Sequence, residues 1–278
     1  MRNLKLTLSY DGTRYHGFSK PQPKGKKRKQ EKPKSSDAAA PKTITPQNTI
    51  SSKLAETISR LTGTPVELFC GAKTEPGVHA LLQTVNFQTA CPIPMDELCR
   101  SLNHYLPQDI CIHTVTEVPE RFHADLNARA QVYEYRIFNA PVMDPFLRRY
   151  ALHVARPLDI AVMETAAKTL TGIHDFFPFS SGKGKKKKST ISELSSIQIV
   201  TAKNTATTDG DFPCEIRILM TANRFLYQMP RLVAGTLIDI GLGKRSPACI
   251  GYILAQEEAV SPPCPAHGLY LKEVSYEQ

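Results

Sequence analysis

The sequence predicts an α+β protein built from two similar halves. Along residues 1–114, the apolar positions switch between a period of two and a period near 3.6, in the order strand, helix, strand, strand, helix, strand. Residues 115–278 repeat this rhythm of strands and helices. With 278 residues and 41% hydrophobic content, the chain is long enough for one large domain or for two smaller ones, each with its own core.

The spacing of apolar residues along 48–62 predicts an amphipathic helix in the first half. Asn48 or Thr49 can cap its start, and Gly63 is typical of a helix end. Residues 3–9 alternate as a strand does and lead into a turn. The same periodicities predict strands at 66–70, 84–87, 111–115, 131–139, 197–200 and 214–220, and helices at 95–105, at 160–170 and from near Pro230.

A short loop at residues 71–80 carries the densest group of reactive side chains. Within seven residues it holds an ammonium (Lys73), a hydroxyl (Thr74), a carboxylate (Glu75) and an imidazole (His79). A loop held by a rigid scaffold is a common place for a site, but on local chemistry alone a plain polar turn explains this stretch equally well.

The loop resembles the catalytic loop of the TruA-type tRNA pseudouridine synthases. From residue 72 to 79 it reads Ala-Lys-Thr-Glu-Pro-Gly-Val-His, where the family has Gly-Arg-Thr-Asp-x-Gly-Val-His. Glu75 therefore stands in place of the family's nucleophilic Asp, and Lys73 in place of its Arg. Further segments resemble the family in the same order along the chain: 10–18, 122–128, 131–139, 172–179, 225–235 and 266–271.

The resemblance implies a fold and a reaction. Each half is expected to be an antiparallel sheet with helices packed on one face, and the halves are expected to form a central RNA-binding cleft. The implied reaction detaches uracil from its ribose, rotates it and reattaches it through carbon. It uses no metal and no cofactor, and its implied substrate is a uridine of tRNA, in the anticodon stem-loop.

The resemblance also implies roles for individual residues. Glu75 would be the nucleophile, Arg231 its cationic partner, and Tyr133 the aromatic side chain stacked near the target base. The residues expected to bind the substrate are Lys73, Thr74, His79, His123, Phe225 and Leu269. The histidines lie in separate motifs without the spacing of metal ligands, so no metal site is predicted.

The replacement of Asp by Glu75 leaves two hypotheses open. Glu carries the same functional group on one more methylene, and a misplacement of about 1 Å can lower a rate about 10²-fold. The first hypothesis is an active synthase with a Glu nucleophile. The second is an RNA-binding paralogue with weak or no isomerase activity.

The net charge of +9 is concentrated in two Lys-rich segments. Residues 21–46 carry a net +6, within a Lys- and Pro-rich insertion at 19–46 that is predicted to be disordered. Residues 182–188 carry a net +5, within a Lys-rich loop at 181–189. Such segments bind polyanions through counterion release, although they can equally be solvated tracts that aid solubility. At the end of the second segment, Ser189 stands where the family has Arg.

The remaining expectations concern location and assembly. No apolar run approaches the ~18–20 residues that cross a bilayer, and the first eight residues alternate as a strand instead of forming a signal-peptide core. We therefore expect a cytoplasmic protein without a membrane contact. The resemblance implies a homodimer, with RNA contacting both subunits.

Overall fold

The computed structural model describes residues 1–19, 48–181, 189–202 and 215–276. These residues form a mixed α+β structure with ten strands and five α-helices, which confirms the predicted class. Two predictions fall outside the described residues. They are the disorder of the insertion at 19–46, apart from Ser19, and the Lys-rich loop at 181–189, apart from its first and last residues.

Strands and helices are interspersed along the chain. Within the described residues, none of the helices has both the length and the apolar character that crossing a membrane requires. The helices are α1 Ile50–Thr62, α2 Met95–Tyr105, α3 Ile160–Leu170, α4 Met229–Gly241 and α5 Cys249–Leu254. The strands are β1 Arg2–Tyr10, β2 Phe69–Cys70, β3 His79–Thr89, β4 Ile110–Val118, β5 Ala128–Asn139, β6 Leu152–Val154, β7 Gly172–Asp175, β8 Ile191–Ala202, β9 Glu215–Ala222 and β10 Leu269–Tyr276.

One sheet contains all ten strands of the described residues. Its main order is β4-β1-β3-β10-β5-β9-β8-β7, with β2 paired to β3 and β6 paired to β5. The pairs are antiparallel except β3 with β10 and β5 with β6, which are parallel. Because β10 lies between β3 and β5, the last strand of the chain joins strands from the first 114 residues to those that follow.

The core lies between the sheet and the helices. On β1, Leu4, Leu6 and Leu8 are buried, as the alternation predicts for a strand with one covered face. Helix α4 is buried around nearly its whole circumference, which is typical of a central helix. It therefore provides a fixed support for the side chains near its first turn.

Several predicted boundaries agree with the structure, and others do not. Helices α2 and α3 match the predicted ranges, and α1 begins one residue after its cap, Thr49. The predicted strand at 66–70 is wrong for residues 66–68, because β2 pairs with β3 only at Phe69 and Cys70. The pattern did not reveal β6, β7 and α5, which are too short for a clear periodicity.

The cap of α1 provides a test of this local structure. The Thr49 hydroxyl accepts a hydrogen bond from the Ser52 N–H at 3.2 Å, and the Ser52 hydroxyl accepts one from the Thr49 N–H at the same distance. We expect Thr49→Ala to lower the free energy of unfolding by about 1 kcal/mol, because it leaves a helix N–H without its partner. Urea unfolding measures this change.

The matched control is Thr169→Ala on the exposed side of α3. Because alanine is the better helix former, this change should leave stability unchanged or slightly raised. Equal midpoints for wild type and Thr49→Ala would contradict the capping role.

Candidate active site

The loop at residues 71–78 connects β2 to β3 and is held from its buried side. Thr74 is 5% exposed, and its hydroxyl shares a hydrogen bond with the Tyr10 hydroxyl at 2.8 Å. The Phe18 N–H donates to the Thr74 carbonyl at 3.1 Å. Gly17 has φ +87°, and a Cβ there would lie 2.6 Å from that carbonyl oxygen. The close approach of these two backbones therefore requires glycine and fixes the residue that precedes Glu75.

A buried glutamine holds the beginning of the same loop. Gln83 accepts a hydrogen bond from the Ala72 N–H at 3.3 Å and donates to the Ala72 carbonyl at 2.7 Å. Its amide thus satisfies both backbone groups of Ala72, as a neighbouring strand would. The Gly71 N–H donates to the Thr84 carbonyl at 2.9 Å, so the loop departs from β2 along a defined path.

Glu75 is bound by two groups at the start of α4. Its Oε2 lies 2.6 Å from Nη1 of Arg231, and its Oε1 accepts a hydrogen bond from the Gln228 N–H at 3.1 Å. The side chains of Glu75 and Arg231 are 11% and 15% exposed. Each carboxylate oxygen therefore has a partner, which offsets the cost of removing the charge from water.

The backbone around α4 fixes Arg231 as firmly as the loop fixes Glu75. Arg231 Nε donates to the Cys264 carbonyl at 2.6 Å, and the Cys264 N–H donates to the Arg231 carbonyl at 3.1 Å. Pro230 lies in the first turn of α4, where the absent N–H has no intrahelical partner to lose. The expected pairing of Glu75 with Arg231 is thus present in the structure.

A cavity of about 560 Å³ opens beside Glu75. Tyr133 and Phe225 meet edge to face on its wall, with ring centroids 5.0 Å apart at 82°. Burial raises the pKa of Tyr133 far above its usual value, so its hydroxyl stays neutral. The wall also includes Leu269. Aromatic and apolar groups of this kind can receive an unstacked nucleobase next to a carboxylate.

The structure brings most of the predicted site residues to this cavity. It is lined by Glu75, Tyr133, Lys73, Phe225 and Leu269, and Arg231 contacts Glu75. Thr74 instead uses its hydroxyl within the protein, on Tyr10. His123 packs against Phe69 with the two rings tilted by 42°, and its Nδ1 accepts hydrogen bonds from two backbone N–H groups of its own turn.

His79 is not among the residues that line this cavity, although its neighbour Val78 is. Its Nδ1 accepts a hydrogen bond from the Gly12 N–H at 3.2 Å. Its Nε2 lies 3.1 Å from the Arg149 carbonyl and 3.2 Å from the His267 carbonyl. Burial lowers the pKa of His79 despite the opposing charge of Asp11. The neutral imidazole therefore joins three segments at the start of β3.

Other groups at the site carried no clear sequence signal. The Gln228 N–H that binds Glu75 belongs to a residue with φ 64°, a backbone conformation that the sequence does not reveal. Asp125 and Arg224 line the cavity from two loops, and only the charge of each could have suggested a role. Among the described residues, no group of three or more His, Cys, Asp or Glu side chains is placed to hold a metal.

Comparison with known proteins identifies the family. A family model described as tRNA pseudouridine synthase matches residues 166–277. The chain is 35% identical to tRNA pseudouridine synthase A 2 of Bacillus cereus, over 99% of this chain and 100% of the relative. It is 38% identical to tRNA pseudouridine synthase A of Brevibacillus brevis, with the same coverage. The chain belongs to the tRNA pseudouridine synthase family. The resemblance seen in its motifs is confirmed.

The two kinds of match to the pseudouridine synthases cover different parts of the site. The family model includes Phe225, Arg231 and Leu269 but not the loop that carries Glu75. The relatives match nearly the whole chain, so the matched region spans the positions of both Glu75 and Arg231.

The buried imidazole predicts a pH dependence of stability. The pKa of His79 in the folded protein lies below its ordinary value of 6.5, so below that pH the unfolded chain binds a proton more readily. We expect the neutral His79 to contribute to the free energy of unfolding above about pH 6.5, and this contribution to decrease as the pH falls below that value. The steepest slope from one such group is about 1.4 kcal/mol per pH unit.

Urea unfolding of wild type and His79→Gln at pH 7.5, 6.5 and 5.5 measures this contribution. The variant should be less stable at pH 7.5, and its disadvantage should shrink as the pH falls. Replacement of His113, an exposed histidine of β4, by Gln should retain the wild-type dependence. Parallel curves for wild type and His79→Gln would contradict the assignment.

Proposed function

We propose that this protein isomerises uridine to pseudouridine in tRNA, with Glu75 as the nucleophile. The observation that carries the proposal is the Glu75–Arg231 ion pair at the edge of a cavity with an aromatic wall. The two relatives reported above bear the names tRNA pseudouridine synthase A 2 and tRNA pseudouridine synthase A, which supports tRNA as the substrate class. On the motif resemblance we propose that the target uridine lies in the anticodon stem-loop. We propose that the protein acts on this tRNA in the cytoplasm.

The reaction exchanges one bond of the ribose for another. The bond between C1′ and N1 of uracil breaks, the base rotates, and a bond forms between C1′ and C5. The proton leaves C5 and N1 gains one, so atoms and charge balance. In this scheme the carboxylate of Glu75 acts on C1′ or on the base, while Arg231 and the Gln228 N–H fix its position.

The cavity walls fit the demands of this chemistry. The target uridine must leave its stack, at a cost of a few kcal/mol, and the rings of Tyr133 and Phe225 can replace the lost contacts. Leu269 extends the apolar wall, and the exposed Lys73 offers a positive charge to the RNA backbone. These residues are the proposed substrate contacts.

We further propose that residues 1–114 and 115–278 are two functional halves that form the RNA-binding cleft between them. This is supported by the cavity lining, which comes from the loop at 71–78 and from segments beyond residue 115. A homodimer in which RNA contacts both subunits is part of the same proposal and rests on the motif resemblance. Sedimentation of the protein with and without tRNA tests it.

The role of Glu75 is tested by its isosteric replacement. We expect Glu75→Gln to lower the rate of pseudouridine formation on the order of 10⁴-fold or more, because the amide keeps the shape but is not a nucleophile. The measurement is mass-spectrometric mapping of tRNA after a pseudouridine-selective chemical label, since the isomers have equal mass.

The matched control is Glu67→Gln, which changes an exposed carboxylate a few residues before the loop and should keep wild-type activity. Unchanged activity in Glu75→Gln would contradict the proposed nucleophile. A wild-type protein that binds tRNA but forms no pseudouridine would instead favour the alternative, an RNA-binding paralogue without isomerase activity.

A further inference from the structure

Arg224 is held at the wall of the cavity by two backbone carbonyls. It lies in the connection between β9 and α4, directly before Phe225. Its Nη2 donates to the Ser189 carbonyl at 2.6 Å and to the Ile191 carbonyl at 2.9 Å. Both Arg224 and Ser189 line the cavity, and Arg224 is exposed. The guanidinium is therefore positioned in advance while remaining accessible to a ligand.

The other charges of the cavity lining offset one another. Glu75 is paired with Arg231. Lys73 and Asp125 carry opposite charges in the same lining. In the described part of the chain, the recorded partners of Arg224 are neutral carbonyls, so its positive charge is not balanced.

The position of Arg224 also bears on the departure at Ser189. The family pattern has an arginine where this chain has Ser189. Here the guanidinium of Arg224 reaches the backbone of that same residue from a different segment. Arg224 thus places a cation at this edge of the cavity.

We propose that Arg224 binds an RNA backbone phosphate next to the target uridine and thereby positions the substrate at Glu75. A guanidinium has five N–H donors, and the two carbonyl contacts use those of Nη2. Among the described contacts, the N–H groups of Nε and Nη1 are not used by these carbonyls, and either can donate a single charge-assisted hydrogen bond to a phosphate oxygen. This inference rests on the proposed function, because it names a substrate contact of the same site.

The test separates binding from chemistry. We expect Arg224→Ala to raise KM for tRNA about tenfold with kcat within about twofold, because the contact forms on binding and persists through the reaction. The slope of log Kd against log salt concentration should fall by about 0.7 to 0.9, which corresponds to the loss of one phosphate contact. Arg224→Lys should keep the salt slope and give an intermediate KM, because it retains the charge without the two carbonyl contacts that hold the guanidinium in place.

The matched control is Arg100→Ala, an exposed arginine of α2 that should keep the wild-type KM and salt slope. Wild-type values of both quantities in Arg224→Ala would overturn the proposal. Binding is also measured in the Glu75→Gln background with unmodified tRNA. If the wild type forms no pseudouridine, the proposed function fails, while the salt slope in this background still decides the role of Arg224.

Discussion

The ion pair between Glu75 and Arg231 joins two parts of the chain that are 156 residues apart. A nearly buried pair of charges is stable only when its remaining hydrogen-bonding groups are satisfied. Here the Gln228 N–H and the Cys264 carbonyl complete the set. The central position of β10 and the burial of α4 stabilise this arrangement, because they hold the backbones that carry Glu75 and Arg231 close to each other.

Much of the structure behind the loop holds it in one conformation. Tyr10, Gln83 and His79 each bind a backbone or side-chain group from a distant segment. Within the described residues, no buried side-chain nitrogen or oxygen lacks a hydrogen-bond partner. A fully satisfied polar network of this kind has one favoured geometry, and a fixed carboxylate is what nucleophilic catalysis requires. The neutral state of His79 is part of that network.

The excess positive charge of the sequence and most of the cavity lining come from different segments of the chain. The excess positive charge of the sequence lies in residues 21–46 and 182–188. The described lining of the cavity has nearly balanced charges and an aromatic wall. Lysine-rich segments suit sequence-independent attraction, whereas a fixed arginine at the wall suits the placement of a single phosphate.

Most of the longer helices and strands, and both partners of the central ion pair, could be inferred from the amino-acid sequence alone. Helices α2 and α3 could be bounded from their apolar spacing, because that signal lies within each segment. The motif resemblance identified Glu75 and Arg231 as partners. Three features could be seen only in the folded chain: the pairing of β10 with β3, the hydrogen bond from the Gln228 N–H to Glu75, and the contact of Arg224 with the Ser189 carbonyl. These features depend on backbone groups and on contacts between distant segments, so no local pattern of side chains encodes them.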